Sequence, residues 1–158
     1  MAEPLADQVL KKIDQAAELY QRLVFIVASA GQGKTAALQE INKRTEIPLI
    51  NLNLELSRQM LDLSARQRTL QLPQLLREII NGVAGEVVLL DNIEILFDVS
   101  LKQDPLRLLQ GLSRNKTVVA AWNGAIVEKS LTYATPDHPE YRRYPMKDFL
   151  VVSPEVAT

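Results

Sequence analysis

With 158 residues, 47% of them hydrophobic, the chain can bury one sizeable core but hardly two, so a single domain spanning 1–158 is expected. The 18 basic and 19 acidic side chains leave a formal net charge of −1, which excludes a strong positive field and makes any DNA contact by the chain alone weak. The absence of cysteine and the presence of one histidine, His138, exclude a disulfide framework, a thiol nucleophile and an all-protein zinc site.

Leu5, Val9, Ile13, Ala17 and Tyr20 recur at three- and four-residue steps and predict one face of an opening helix, with Lys11, Lys12, Asp14 and Gln15 outside. LVFIVA (23–28) is short, apolar and rich in branched residues, as a strand buried on both faces would be, and AALQEINKR (36–44) continues as a helix. IPLINLN (47–53) predicts a second strand, on which Asn51 and Asn53 share one face. Two helical stretches follow between about 57 and 83, with a break at Pro73. EVVLLDN (86–92) reads as a third strand, Pro105 opens a short helix ending near Arg114, and TVVAAW (117–122) reads as a fourth strand. The stretch 123–147, with Pro136, Pro139 and Pro145, resists assignment, while FLVV (149–152) reads as a fifth strand or an edge. The alternation predicts a three-layer α/β fold with a mostly parallel sheet of about five strands, whose ligands sit beyond the carboxyl ends. MAEPLADQ carries no basic stretch followed by an apolar one, and no later apolar run approaches the ~18 residues of a membrane span, so a soluble, cytoplasmic protein with no membrane contact is expected.

Between the first strand and the next helix lies ASAGQGKT (28–35), which fits the phosphate-loop pattern except that Ala28 replaces the first glycine. Ala30, Gly31, Gln32, Gly33, Lys34, Thr35 and Ala36 are the expected nucleotide-binding residues. Gly31 and Gly33 let backbone N–H groups turn inward around a phosphate, Lys34 can bridge the β- and γ-phosphates, and Thr35 can offer its hydroxyl to Mg²⁺. Asp91 ends VVLLD, where its carboxylate can hold the water shell of that Mg²⁺, so Thr35 and Asp91 are the expected metal residues. Asn92 follows and can hydrogen-bond a water but cannot take its proton. The candidates for activating a water are therefore Glu94, Glu55 or nothing, and slow turnover is expected. Asn123, at the end of AAWN, either faces the γ-phosphate or begins an Asn-Gly turn with Gly124.

The motifs ASAGQGKT, INLNLELS, VVLLDNIEILF, TVVAAWNG and LTYATPDHPEYRRYP, in that order, resemble the BrxF family, the small P-loop proteins of type 3 BREX phage-defence systems, over nearly the whole chain. The resemblance implies a bacterial ATPase-like subunit acting with a DNA methyltransferase and other large BREX proteins. The chain is also similar to the nucleotide-binding core of AAA+ ATPases. That likeness makes Asn123 a sensor of the γ-phosphate and Asn53 a partner of the third-strand end. It also makes one of Arg142 and Arg143 in YRRY an arginine that reaches a neighbouring subunit's site, against the alternative of a solvated loop; the other arginine would be anchored to Asp137 or Glu140. Two departures stand out: Asn92 occupies the position where such ATPases carry glutamate, and few residues follow Asn123, so no helical lid domain is expected. The resemblance implies ATP rather than GTP, and Asn115-Lys116 is followed by Thr117 and Val118 instead of a guanine-reading pattern.

Three functional classes follow. The first is a slow Mg²⁺-dependent ATPase or switch whose nucleotide state drives assembly, including a homo-oligomer. The others are a small-molecule kinase and a nucleotide-stabilised scaffold without turnover. Arg58, Arg66, Arg68 and Arg77 fall between the second and third strands, interrupted by Glu55, Asp62 and Glu78, and read as a solvated face.

Overall fold

The computed structural model describes residues 4–154. Helix α1 (Leu5–Ala16) buries Ala6, Val9, Ile13 and Ala16, a stripe at helical spacing. It ends before Ala17 and Tyr20, which therefore leave the predicted apolar face. Tyr20 is 75% exposed, with the Arg114 guanidinium 5.4 Å from its ring centroid. Strand β1 (Leu23–Ala28) is buried throughout, because its odd-numbered side chains meet one helical layer and Val24 and Ile26 meet the other. Helix α2 (Lys34–Thr45) follows the glycine loop.

Strand β2 (Leu49–Asn51) is shorter than the apolar alternation predicts. The Asn51 side-chain oxygen accepts from the Leu54 N–H at 3.1 Å and caps helix α3 (Leu52–Met60), which starts at once. Asn53 therefore lies on a helix and not beside Asn51 on a strand, with the Ser57 hydroxyl 3.4 Å from its Oδ1. The break before helix α4 (Ala65–Asn81) falls at 61–64, where Ser64 and Gln67 form a reciprocal cap; it does not fall at Pro73. Pro73 is tolerated inside α4 because the Thr69 carbonyl, which loses its helical donor there, accepts instead from the Gln103 side-chain amide at 2.9 Å.

Strand β3 (Val87–Asp91) leads through two 3₁₀ turns, Ile93–Phe97 and Val99–Leu101, into α5 (Pro105–Leu112), capped by Asp104. Strand β4 (Thr117–Val127) runs well past Trp122. The stretch that resisted assignment contains β5 (Ser130–Tyr133) and β6 (Arg142–Pro145), and β7 (Leu150–Val152) follows.

The sheet order is β2-β3-β4-β1-β7, parallel throughout. The far half of β4 pairs antiparallel with β5, and β5 with β6, which makes seven strands among the described residues. Helices α1 and α2 cover one face, and α3, α4 and α5 cover the other. After β1 the chain crosses to the first layer, whereas β5, which follows the adjacent β4, sends Leu131 and Tyr133 into the second. Connections that diverge from neighbouring parallel strands leave a crevice at their carboxyl ends. No helix among the described residues is long and apolar enough to cross a membrane.

Gly124 marks where β4 leaves the parallel sheet. A Cβ there would stand 1.8 Å from the Thr132 carbonyl oxygen and 2.8 Å from the Trp122 Nε1, which itself donates to that carbonyl at 3.0 Å. Gly124→Ala is expected to force β4 and β5 apart and cost about 2–4 kcal/mol in urea denaturation. A loss below about 0.5 kcal/mol, the range of neutral surface changes, would contradict the close approach.

Candidate functional site

The loop at 29–33 lies at the carboxyl end of β1. Gly31 and Gly33 hold φ of +81° and +89°, and nothing lies within 4 Å of where a Cβ would stand. Backbone conformation, not crowding, therefore demands glycine here. Lys34 is only 5% exposed, and its Nζ donates to the carbonyls of Ala28 at 2.8 Å and Ser29 at 2.7 Å, which satisfies a buried ammonium over the loop.

Thr35 begins the exposed side of α2, and its hydroxyl donates to Asp91 Oδ2 at 2.8 Å. Asp91 Oδ1 accepts from the Asn92 N–H at 2.9 Å, so both carboxylate oxygens are oriented. Asn92 itself is left-handed, with φ +56°, a conformation that asparagine tolerates better than glutamate. The 3₁₀ turn after it carries Glu94 back to the cleft, where the Asn123 side-chain N–H donates to Glu94 Oε1. Burial pushes the Glu94 carboxyl above the usual range, reinforced by the nearby charge of Asp91 and opposed by a backbone hydrogen bond and by Lys34.

These groups line one cleft of about 290 Å³. From the loop and α2 come Ala30, Gly31, Gly33, Lys34, Thr35 and Ala36; Asp91, Asn92, Glu94 and Asn123 close the other side. The hard oxygens of Thr35 and Asp91 suit Mg²⁺. Since no group of three or more His, Cys, Asp or Glu able to hold a metal occurs among the described residues, such an ion would complete its shell with phosphate and water oxygens.

Other expected residues lie elsewhere. Gln32 belongs to the loop but does not line the cleft, and Glu55 on α3 pairs with Arg58 at 3.6 Å. Asn53 lines a different, larger cleft. The Asn-Gly turn does not form: β4 continues through both residues and reverses at Glu128 and Lys129, φ +48° and +63°. Arg142 and Arg143 alternate along β6, as an extended segment requires. Arg142 donates to the Gln103 carbonyl at 3.0 Å, not to Asp137 or Glu140, while the half-exposed Arg143 approaches Glu128 at 3.7 Å. Asp137 instead accepts from the Thr135 hydroxyl at 2.6 Å. In the larger cleft, the Arg68 Nε binds the Met60 and Leu63 carbonyls at 3.1 and 3.2 Å, so it holds the α3–α4 turn and is no plain solvated charge.

Sequence reasoning missed the support behind Glu94. Tyr133 stacks on Phe97 with centroids 3.6 Å apart, and Phe97 meets Trp122 edge-on at 5.2 Å. Burial, then the charges of Glu94 and Glu140, push the Tyr133 hydroxyl up to about 12. The signal was the mixture of aromatic residues in FDVS, AAWN and LTYA, which no local periodicity connects. Scanned against protein-family models the sequence matches none, and no curated protein matches it.

Proposed function

We propose that the chain is an ATP-binding P-loop switch with an AAA+-like core, a slow Mg²⁺-dependent ATPase acting with the proteins of a bacterial BREX phage-defence system, its DNA methyltransferase among them. The observation that carries the nucleotide reading is the meeting of Lys34, Thr35, Asp91, Glu94 and Asn123 around one glycine loop. The BREX assignment rests on the order of the motifs in the sequence.

In this reading the inward N–H groups of the loop surround the phosphates, and the Lys34 ammonium exchanges its two carbonyl partners for phosphate oxygens. Thr35 and Asp91 would hold Mg²⁺, which when bound neutralises part of the triphosphate charge. Glu94 replaces the glutamate missing at Asn92: its carboxylate takes a proton from a water attacking the γ-phosphorus as the bond to the ADP oxygen breaks. Asn123 orients that carboxylate through its amide. The raised affinity of Glu94 for protons makes it a stronger base than an ordinary carboxylate.

Asp91→Ala is expected to weaken ATP binding with Mg²⁺ roughly tenfold or more while leaving metal-free binding nearly unchanged, because its partners are the Thr35 hydroxyl and the metal shell. Equal losses in both titrations would remove Asp91 from the metal site. For assembly, Arg143 is the freer of the two arginines and the one suited to reach a second copy. Arg143→Ala should retain ATP affinity but lose ATP-dependent oligomer formation in sedimentation velocity; parent-like assembly would exclude the shared-site arrangement.

A further inference from the structure

Glu94 is held by little of its own turn. A 3₁₀ helix makes poorer backbone hydrogen bonds than an α-helix, this one spans only Ile93–Phe97, and no side chain caps its start, where Asn92 is left-handed. Where the Glu94 carboxylate stands is therefore decided by packing at the other end of the turn. At three residues per turn, positions i and i+3 eclipse, so a tilt at Phe97 is carried to Glu94. Phe97 is 1% exposed, and its ring lies flat on Tyr133, with centroids 3.6 Å and planes 10° apart. Trp122 meets both rings edge-on, at 5.2 and 6.1 Å. The same rings flank Asn123. Trp122 precedes it on β4, and Tyr133 on β5 pairs with Gly124, which follows it. The Trp122 Nε1–H on the Thr132 carbonyl fixes the two strands one residue from Tyr133.

Tyr133 thus joins the segments that carry both members of the Glu94–Asn123 pair, by its ring on one side and its backbone on the other. Its hydroxyl is near enough to feel the Glu94 charge. An aromatic pair sets orientation as well as distance, which an aliphatic contact does not. We propose that Tyr133 is a positioning residue for hydrolysis: its ring, through Phe97, holds the 3₁₀ turn where the Glu94 carboxylate meets the Asn123 amide and the attacking water. The kinetic half of this rests on the nucleotide reading above. The placement of Glu94 on Asn123 does not.

Tyr133→Leu is expected to lower kcat for ATP hydrolysis ~10- to 100-fold with KM for ATP within about two-fold, because a displacement of about 1 Å at a reacting group costs on that order and the phosphate loop is untouched. Tyr133→Phe keeps the ring and should turn over within about two-fold of the parent. Tyr133→Met fills much of the same space without a plane, so it should behave like Tyr133→Leu and replaces it if that variant does not fold. A second readout needs no nucleotide. The Asn123 side-chain amide signals in ¹⁵N–¹H spectra of the parent should shift with pH as Glu94 titrates, and Glu94→Gln identifies that component by removing it. The component should shrink in Tyr133→Leu and return in Tyr133→Phe. An undiminished component or parent-like turnover in Tyr133→Leu, or an equal loss in Tyr133→Phe, overturns the positioning role. A parent that hydrolyses no ATP, with the amide component lost only where the ring is lost, would fail the nucleotide reading and leave Tyr133 as the residue that places Glu94.

Discussion

Lys34→Ala is expected to reduce ATP affinity by roughly 100- to 1000-fold in a titration with a fluorescent ATP analogue. Truncating one partner of a desolvated charge pair costs about 2–5 kcal/mol, and each 1.4 kcal/mol is about a factor of ten. Lys34 is only 5% exposed and its side chain is already held over the loop, so little side-chain ordering is left to oppose the exchange of its carbonyl partners for phosphate oxygens. The variant loses two hydrogen bonds to the Ala28 and Ser29 carbonyls, and a circular-dichroism melt separates a folding defect from a binding one. A folded variant with parent affinity would mean that the cleft does not hold a triphosphate.

Glu94→Gln should lower the single-turnover rate of phosphate release about 100-fold or more while leaving ATP affinity within a few-fold, because an amide can still accept from Asn123 but cannot take a proton. The same substitution carries a stability signature. Burial raises the Glu94 pKa in the folded chain, so the folded state keeps its proton to higher pH than the unfolded state. Stability therefore falls as pH rises from the ordinary carboxylate range through the raised folded value. Above that window the Gln variant should melt at a higher temperature than the parent, and below it the difference should vanish. A variant that turns over like the parent would leave Glu94 a structural acid, whatever its melting temperature.

The readable part of this fold was the part written in local apolar pattern. LVFIVA is β1 to the residue, since a strand covered on both faces must be apolar at every position. The glycine loop was legible because two left-handed positions in five residues demand glycine in sequence. Where side chains bond to the backbone, the pattern misled. Asn51 turns the chain into a helix through one cap, and Pro73 survives in α4 through an amide from Gln103, 30 residues away in sequence. Asn123-Gly124 carries a strong turn signal, yet there the glycine serves a close strand approach and the asparagine serves Glu94. Within the site, Lys34, Thr35 and Asp91 were legible from their motifs. That Glu94 lines the glycine-loop cleft and Glu55 does not was not legible, because it depends on a 3₁₀ turn that folds one acid back and on a helix that carries the other away.

The most direct measurement is titration calorimetry of the unmodified chain with ATP in the presence and absence of Mg²⁺. Saturable binding near one ATP per chain, tighter with the metal, is the predicted result. No saturable heat at any workable concentration, with or without Mg²⁺, would contradict the assignment of the glycine-loop cleft as an ATP site.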